Sequence, residues 1–342
     1  MATDHEVVSI RTIKQQLKSN NSVYRIGALY LMLKYDFPEN NSLLKDVIKR
    51  DSEISVRNLA LLVLNEKKDP DIVTVCKRLF FNTTDNHIVR GRAIWILGQI
   101  KNLESYEILI SALDDRKEEV VYWAVLSLSN YNDHDAILEV LTKLLLKHRS
   151  NIVRSAIINY LGLTKNINSI SILEDRLLND GYSLIRLQSA WVLRLLGSLK
   201  SIKPLCRALN TERNDLARRE IALAIGMILQ KQLEDVKNSS EYITNLDLAV
   251  ETLLKAFTRD TEYIIRRTCA EALGRIKDKR ILPVLIDKIS LDTNHFVRKE
   301  IIQTLGKIGD PQALDVLFEA QKSQYRTIVE AAKEAIKKIH SI

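Results

Sequence analysis

The sequence is poor in residues that break or cross-link a chain. Its 342 residues include 10 glycines, 5 prolines and 3 cysteines. So little glycine and proline argues against loop-rich sandwiches and glycine-rich phosphate-binding scaffolds, and it favours a helical protein. Three scattered cysteines are too few for a disulfide framework or a clustered zinc site, and they suit a reducing compartment.

Long apolar stretches are missing as well. The longest apolar run, residues 221–229, is far shorter than the ~20 residues that a bilayer requires. The chain does not open with the basic and then apolar pattern of a signal peptide. We therefore expect no membrane insertion and a cytoplasmic location. With 46% hydrophobic residues, the chain can bury a large core.

A repeated pattern runs the length of the chain. Each copy begins with an apolar or small residue, position 0, which is followed in most copies by Arg at position 1. Position 0 is occupied by Tyr24, Val56, Val89, Val120, Val153, Ile185, Ala217, Ile265, Val297 and Ile328. The successive separations are 32, 33, 31, 33, 32, 32, 48, 32 and 31 residues. So constant a period predicts ten structural units of one kind.

Each copy predicts two helices. In VRKEIIQTLGKIGDPQALDVLFEAQ, apolar residues recur at helical spacing from Val297 to Ile308, and Gly309-Asp310-Pro311 ends one helix and begins the next. Neither helix can bury its apolar stripe alone, so the units must stack into a solenoid. The sequence thus predicts a single all-α domain over residues 1–342. The long separation adds residues at about 229–245, where we expect a lengthened helix and a protruding insertion loop.

The phrase VRKEIIQTLGKIGDPQAL resembles the short HEAT repeat named after phycobilisome lyases. IRRTCAEALGRIKDKRILPVL and IVRGRAIWILGQI echo it, and the resemblance covers essentially all ten copies. It implies a right-handed α-solenoid of about ten two-helix HEAT-like repeats, with the second helices on the concave side.

The resemblance also implies a ladder of hydrogen bonds between adjacent repeats, made by the position-1 Arg and an Asp six residues before it. The residues that match this pattern are Asp51 and Arg57, Asp180 and Arg186, Asp260 and Arg266, and Asp292 and Arg298. Asp115 stands six residues before Val121, which is no Arg. We therefore expect a gap in the ladder at the fourth unit.

Motifs of catalysis are absent from the sequence. The six histidines form no HExxH and none pairs with a Cys at ligand spacing, and there is no GxSxG, Walker loop or GxGxxG. We expect no catalytic residue, metal or cofactor. The HEAT-repeat deoxyhypusine hydroxylases resemble this architecture but hold iron with several His-Glu pairs. This chain has one such pair, His5-Glu6, which excludes that enzyme.

The three cysteines need no chemical role. Cys76, Cys206 and Cys269 fall at or beside the apolar stripes of predicted helices. There a Cys behaves as a small hydrophobic residue, and none has an adjacent base or metal partner that would activate its thiol. We therefore expect buried, unreactive thiols.

Position 6 of the second helix points almost opposite the apolar stripe, at about 240°. Down the copies it reads Tyr30, Leu62, Trp95, Leu126, Asn159, Trp191, Leu223, Glu271, Gln303 and Glu334. Six of the first seven are apolar or aromatic and the last three are polar. Exposed apolar surface marks a binding site, and Trp and Tyr are its usual anchors. The alternative is that curvature buries position 6 between neighbouring helices.

Positive charge is concentrated in the middle of the chain. Residues 141–219 contain 14 Lys and Arg against 5 Asp and Glu, while the whole chain has a net charge of +8. We call this stretch the basic zone. Arg194 and Arg219 fall at outward positions 9 and 2 of their second helices. The zone could steer an acidic protein or a phosphate backbone, or it could be a merely solvated surface.

Three functions remain open on the sequence. The first is a non-enzymatic scaffold that holds a peptide or helix of another protein. Its binding residues are Tyr30, Trp95, Trp123, Leu126, Trp191, Arg194 and Arg219. The second, implied by the resemblance, is a bilin lyase or chaperone subunit that holds a linear tetrapyrrole. The third is nucleic-acid backbone binding, although the stretches WILGQI, WAVLSLSN and WVLRLLG lack the acidic residue that the resemblance to HEAT-like alkylpurine DNA glycosylases would require beside a groove tryptophan.

Overall fold

The computed structural model describes residues 9–131, 134–236 and 239–341, and in these ranges every regular element is a helix. The chain divides into two compact units, Met1–Tyr160 and Leu161–Ile342. In both units long helices alternate as the first and second helix of a repeat. The prediction of an all-α solenoid is confirmed.

Unit 1 contains nine helices and most of a tenth, and the boundary between the two units lies within this tenth helix. They are α1 (Ile10–Leu17), α2 (Ser22–Lys34), α3 (Asn40–Arg50), α4 (Ile54–Glu66), α5 (Ile72–Phe81), α6 (His87–Ile100), α7 (Leu103–Ala112), α8 (Glu118–Leu128), α9 (His134–Lys147) and α10 (Asn151–Thr164). The even-numbered helices are the second helices of their repeats. Within unit 1, α2, α4, α6 and α8 pack one on the next as a layer.

Unit 2 continues the alternation. Its helices are α11 (Ile170–Asn179), α12 (Ser183–Leu196), α13 (Ile202–Thr211), α14 (Asp215–Val236), α15 (Ser240–Arg259), α16 (Tyr263–Ile276), α17 (Leu282–Leu291), α18 (His295–Ile308), α19 (Leu314–Ala320) and α20 (Arg326–His340). The second helices α12, α14, α16, α18 and α20 again pack in sequence. In α18, Val297, Ile301 and Leu305 are fully buried, as their spacing predicts.

The second helices end in a recurrent left-handed turn. Twelve residues after position 0, φ lies between 49° and 75° in six repeats: Lys68, Lys101, Lys165, Gly197, Lys277 and Gly309. A residue in this conformation turns the chain out of the helix and satisfies its last carbonyl groups. In four repeats a short 3₁₀ turn follows, capped by the side chain of Asn166, Ser198, Asp278 or Asp310.

The insertion lengthens two helices. The second helix α14 contains 22 residues, whereas the other second helices contain 11 to 15. The first helix α15 contains 20 residues, whereas the other first helices contain 7 to 14. Residues 229–236 and 240–245 are helical, so a loop over 229–245 does not form; residues 237–238 lie outside the described part. Apolar packing explains the difference, because Tyr242 is buried and its hydroxyl lies 3.5 Å from the carbonyl oxygen of Leu229.

A ladder of half-buried ion pairs links adjacent repeats within each unit. The position-1 Arg of one repeat bonds the acid that precedes position 1 of the next repeat. The pairs are Arg25–Asp51, Arg57–Asp85 and Arg90–Asp115 in unit 1, and Arg186–Glu212, Arg218–Asp260 and Arg266–Asp292 in unit 2. Arg266 is representative: its Nε and Nη2 donate to the two carboxylate oxygens of Asp292 at 2.7 and 3.0 Å.

The register of this ladder differs from the expectation. Each Arg bonds the acid of the following repeat, and the predicted ladder residue Arg298 pairs with no carboxylate of the described residues. The expected gap at Asp115 is wrong, because Asp115 accepts hydrogen bonds from Arg90 of the preceding repeat. Whether residue 121 is Arg has no bearing on that pair. The acids of two rungs do not match the sequence pattern, which requires an Asp six residues before the Arg. Asp85 stands five residues before Arg90, and the acid six residues before Arg218 is Glu212. Asp180 accepts from the N–H of Tyr182 and lies 3.5 Å from Arg176.

Candidate functional site

Position 6 reaches the surface in every repeat. None of its ten side chains is buried, and Tyr30 and Trp191 are 58% and 36% exposed. Leu62, Trp95 and Leu126 are half-buried. The orientation that helical phase predicts is therefore confirmed, and the alternative, burial by curvature, is wrong.

A second exposed position accompanies position 6. Position −1 lies seven residues earlier, and seven steps of 100° fall about 20° short of two full turns, so both positions share one side of the helix. Exposed apolar residues occupy it in six repeats: Val23, Ile88 and Ile152 in unit 1, and Leu184, Leu216 and Phe296 in unit 2. The sequence analysis missed them, although the same phase argument identifies them. We call positions −1, 2, 3, 6, 9 and 10 of the second helices the second-helix face.

In unit 1 the second-helix face is apolar and aromatic. The Trp123 ring lies against the α6 backbone at Gly91, where a Cβ would stand 2.8 Å from the Trp123 Cδ1. Tyr122 meets the same ring edge-on, with the centroids 5.3 Å apart. The Arg92 guanidinium lies 5.3 Å from the centroid of the Trp95 ring. Because neighbours hold these rings, a ligand need not order them, which favours binding.

In unit 2 the face changes from aromatic to charged. The Trp191 ring lies against Gly162, where a Cβ would stand 3.0 Å from Trp191 Cζ3. Arg194 is held by Glu220, with 2.8 Å between Nε and Oε1. Arg219 is exposed, and no carboxylate of the described residues pairs with it. The two predicted arginines therefore differ: Arg194 is half-buried and paired, whereas Arg219 is available to a ligand.

Arg219 belongs to a cationic stretch of the face in unit 2. From α12 to α18 the face carries six cations against three carboxylates: Arg194, Arg219, Arg267, Arg275, Lys299 and Lys307 against Glu220, Glu271 and Glu300. Arg275 donates to Glu271 at 2.8 Å, whereas Arg267 and Glu300 are 3.6 Å apart. Around Leu223 and Met227, a pocket of about 200 Å³ is lined by four of these side chains, Arg219, Arg267, Glu271 and Arg275. The excess of three positive charges favours an acidic ligand.

The basic zone lies mostly elsewhere. Its exposed cations are on first helices or in turns, apart from Arg219. They are Lys143 and Lys147 on α9, Lys203 and Arg207 on α13, and Arg149, Lys165, Lys200 and Arg213 between long helices. Aromatic anchors and the bulk of the basic zone therefore do not share the second-helix face.

The described residues hold no group of three or more His, Cys, Asp or Glu that could bind a metal ion. Burial raises the pKa of Cys76 to about 12 and that of Cys206 to about 11, so both thiols stay protonated at neutral pH. Within the described ranges, no helix is both long and apolar enough to cross a bilayer.

Comparison with known families gives one clear relationship. Models of HEAT repeats match residues 41–129, 77–144, 122–194, 138–226 and 250–337, which together make up most of the chain. A comparison with curated proteins by sequence gives no significant match.

Solved structures share the fold at low sequence identity. YibA of Escherichia coli is 17% identical, with a TM-score of 0.53, over 90% of this chain and 99% of its own. Kap95p, solved with RanGDP, is 14% identical with a TM-score of 0.65, over 96% of this chain and 49% of its own. Kap121p bound to Pho4p is 14% identical with a TM-score of 0.64, over 96% and 45%. This chain thus spans about half the length of the Kap95p and Kap121p chains.

Proposed function

This chain is a member of the HEAT-repeat family, and on that premise we propose that it is a non-enzymatic, cytoplasmic scaffold that binds a segment of another protein on its second-helix face. The observation that carries the proposal is that position 6 is at least partly exposed in all ten repeats, with apolar or aromatic side chains in six of them. Covering such surface removes apolar area from water. Kap95p and Kap121p share the fold of this chain, and they bind the proteins RanGDP and Pho4p, respectively. This supports a protein as the ligand.

The two units supply different contacts in this proposal. In unit 1, Tyr30, Trp95, Trp123 and Leu126 bind apolar side chains of the partner. Aromatic side chains held in place by neighbours are the usual centres of binding energy. In unit 2, Trp191 is the apolar anchor, Arg219 binds a carboxylate of the partner, and Arg194, held by Glu220, supports the cationic stretch. The partner segment is therefore acidic where it meets unit 2.

The finer family assignment is also part of the proposal. The short period and the Arg–Asp pattern support the phycobilisome-lyase-like branch of HEAT repeats. However, no specific observation supports a bilin or a nucleic acid as the ligand. The thiols of Cys76 and Cys206 are buried, and most cations of the basic zone lie off the second-helix face. A protein partner is the better-supported ligand.

Two alanine variants test the scaffold. The partner is first identified by affinity capture from native extract, and its affinity for the purified chain is then measured by calorimetry. We expect Trp95→Ala and Trp191→Ala each to weaken binding by about 30-fold, since truncating a central aromatic anchor costs on the order of 2 kcal/mol or more. Helicity and thermal melting should stay unchanged, because both rings are partly exposed.

Matched controls remove apolar surface from first helices. Leu103 of α7 and Phe318 of α19 are 73% and 49% exposed. Leu103→Ala and Phe318→Ala should leave the affinity unchanged. The proposal is wrong if the tryptophan variants bind like the wild type, or if the control variants lose as much affinity as they do.

A further inference from the structure

Arg298 of α18 is a ladder arginine without a rung. Its Nε is buried and has no hydrogen-bond partner, and none of the described carboxylates pairs with it. Its guanidinium lies 5.5 Å from the centroid of the Tyr325 ring. Arg266, one repeat earlier, makes two hydrogen bonds to Asp292 and two to backbone carbonyls. Arg298 therefore has unused donors where its counterpart binds a carboxylate.

Ser323 occupies the place of the missing acid. It stands 25 residues after Arg298 and six before Val329, which is the spacing of Asp115 from Arg90 and from Val121. The local turn is also the same. Ser323 Oγ accepts from the N–H of residue 325 at 3.2 Å, as Asp115 Oδ1 accepts from that of residue 117 at 2.9 Å. A hydroxyl thus stands where the other rungs have a carboxylate, at the same spacing and in the same local turn.

A pocket lies beside Arg298 and Ser323. Arg298 and Ser323 both line a space of about 350 Å³ between α17 and α19, with apolar walls that include Ile286 and Ile302. Lys322 and Glu319 also line the pocket and pair with each other at 2.7 Å. The pocket therefore offers room beside Ser323 and one arginine without a counterion.

We propose that Ser323 is a phosphorylation site whose phosphate binds Arg298 and completes the ladder. A phosphoserine brings close to two negative charges and three strong acceptor oxygens, and such a group pairs preferentially with Arg. Ser323 is half-buried in the turn before α20, between the exposed Lys322 and Gln324, so the segment is open to a kinase. The modification regulates how firmly the last repeat is fixed, and it is independent of the proposed binding function.

The covalent step uses a nucleoside triphosphate as co-reactant. The bond between Ser323 Oγ and the γ-phosphorus forms as the bond between that phosphorus and the β–γ bridging oxygen breaks. A basic group of the kinase takes the hydroxyl proton, and the nucleoside diphosphate leaves.

Hydrogen exchange of the full chain tests the assignment. Phosphoserine is introduced at position 323 during translation, and amide exchange is compared with the unmodified chain by mass spectrometry. We expect exchange in α19 and α20 to slow by about tenfold, because new charge-assisted hydrogen bonds hold the last repeat to α18. Ser323→Asp should slow it to a smaller extent. In the Arg298→Gln background both effects should disappear.

Two controls separate the sources of negative charge. Gln324→Asp places a charge one residue away on an exposed side chain, and it should leave exchange unchanged. Inorganic phosphate added to the unmodified chain should also have no effect at millimolar concentration. Equal protection by Gln324→Asp or by free phosphate, protection that survives Arg298→Gln, or no protection by phosphoserine would each overturn the proposal.

Discussion

At the scale of single residues, the turns that end the second helices place several non-glycine residues in a strained backbone conformation. Lys68, Lys101, Lys165 and Lys277 adopt positive φ values, whereas Gly197 and Gly309 occupy the same place in two other repeats. An L-residue with a Cβ costs roughly 1 kcal/mol in the left-handed region, and glycine does not. Each of the four lysines therefore lowers the stability of the folded chain relative to a glycine at the same position.

We expect Lys277→Gly to raise the free energy of unfolding by about 0.5 to 1 kcal/mol, because it removes this steric cost while the unfolded chain gains some freedom. Urea denaturation of the full chain measures the change. The control is Lys255→Gly, an exposed lysine inside α15, which should lower stability by about 1 kcal/mol. A loss of stability in both variants would contradict the explanation.

At the scale of the element, glycine at position 9 sets the distance between second helices. In unit 2, a Cβ on Gly226 would stand 2.7 Å from the Cα of Ala272, and one on Gly306 would stand 2.7 Å from the Cα of Ala335. The facing residue is at position 7 of the next second helix in both cases. Helices in this layer therefore approach until backbone meets backbone, and only glycine permits that contact.

Gly226→Ala should accordingly destabilise the chain by about 1 kcal/mol, since overpacking of roughly 1 to 3 kcal/mol outweighs the gain in helix propensity. Gly27 of α2 provides the matched control, because a Cβ there meets no atom within 4 Å. Gly27→Ala should stabilise the chain by up to about 1 kcal/mol. Both changes are read from denaturation midpoints, and equal signs for the two variants would refute the packing argument.

Helical phase and period could be predicted from the sequence because they depend only on the local spacing of apolar residues. The buried stripe of α18 and the exposure of Trp95 and Trp191 follow from that spacing. Contacts between helices could not be predicted in the same way. Which carboxylate meets Arg90, or that Glu220 holds Arg194, depends on how one repeat stacks on the next, and no spacing within a copy contains that offset.

At the scale of the whole molecule, the ladder makes stability depend on pH. Burial opposes ionisation of Asp85, Glu212 and Asp292, but hydrogen bonds from Arg57, Arg186 and Arg266 and from backbone N–H groups outweigh it. The pKa of each of the three acids therefore lies below its ordinary value. A lowered pKa stabilises the folded chain above the unfolded pKa of about 4, and this contribution is lost as the pH falls through the folded pKa.

We expect Asp292→Asn to cost about 2 kcal/mol near pH 7, because it leaves the half-buried Arg266 without its counterion. The difference from the wild type should shrink as the pH falls from about 4 through the lowered pKa of folded Asp292, where the wild-type carboxyl group becomes protonated and neutral. Thermal melting of both proteins between neutral pH and pH 3 measures this convergence. A difference that is independent of pH would show that Asp292 does not act through its charge.

A rung of the ladder also forms when the two paired residues are separated by a longer stretch of chain. Arg218 bonds Asp260 across 42 residues, while the other five rungs span 25 to 28. A repeat such as the one with Asp260 and Arg266 offers a donor forward and an acceptor backward, so a copy of it spliced beside its original would find a complementary neighbour on both sides. Growth by duplication, with each addition extending the surface offered to a ligand, is thus a change that this architecture admits without redesign.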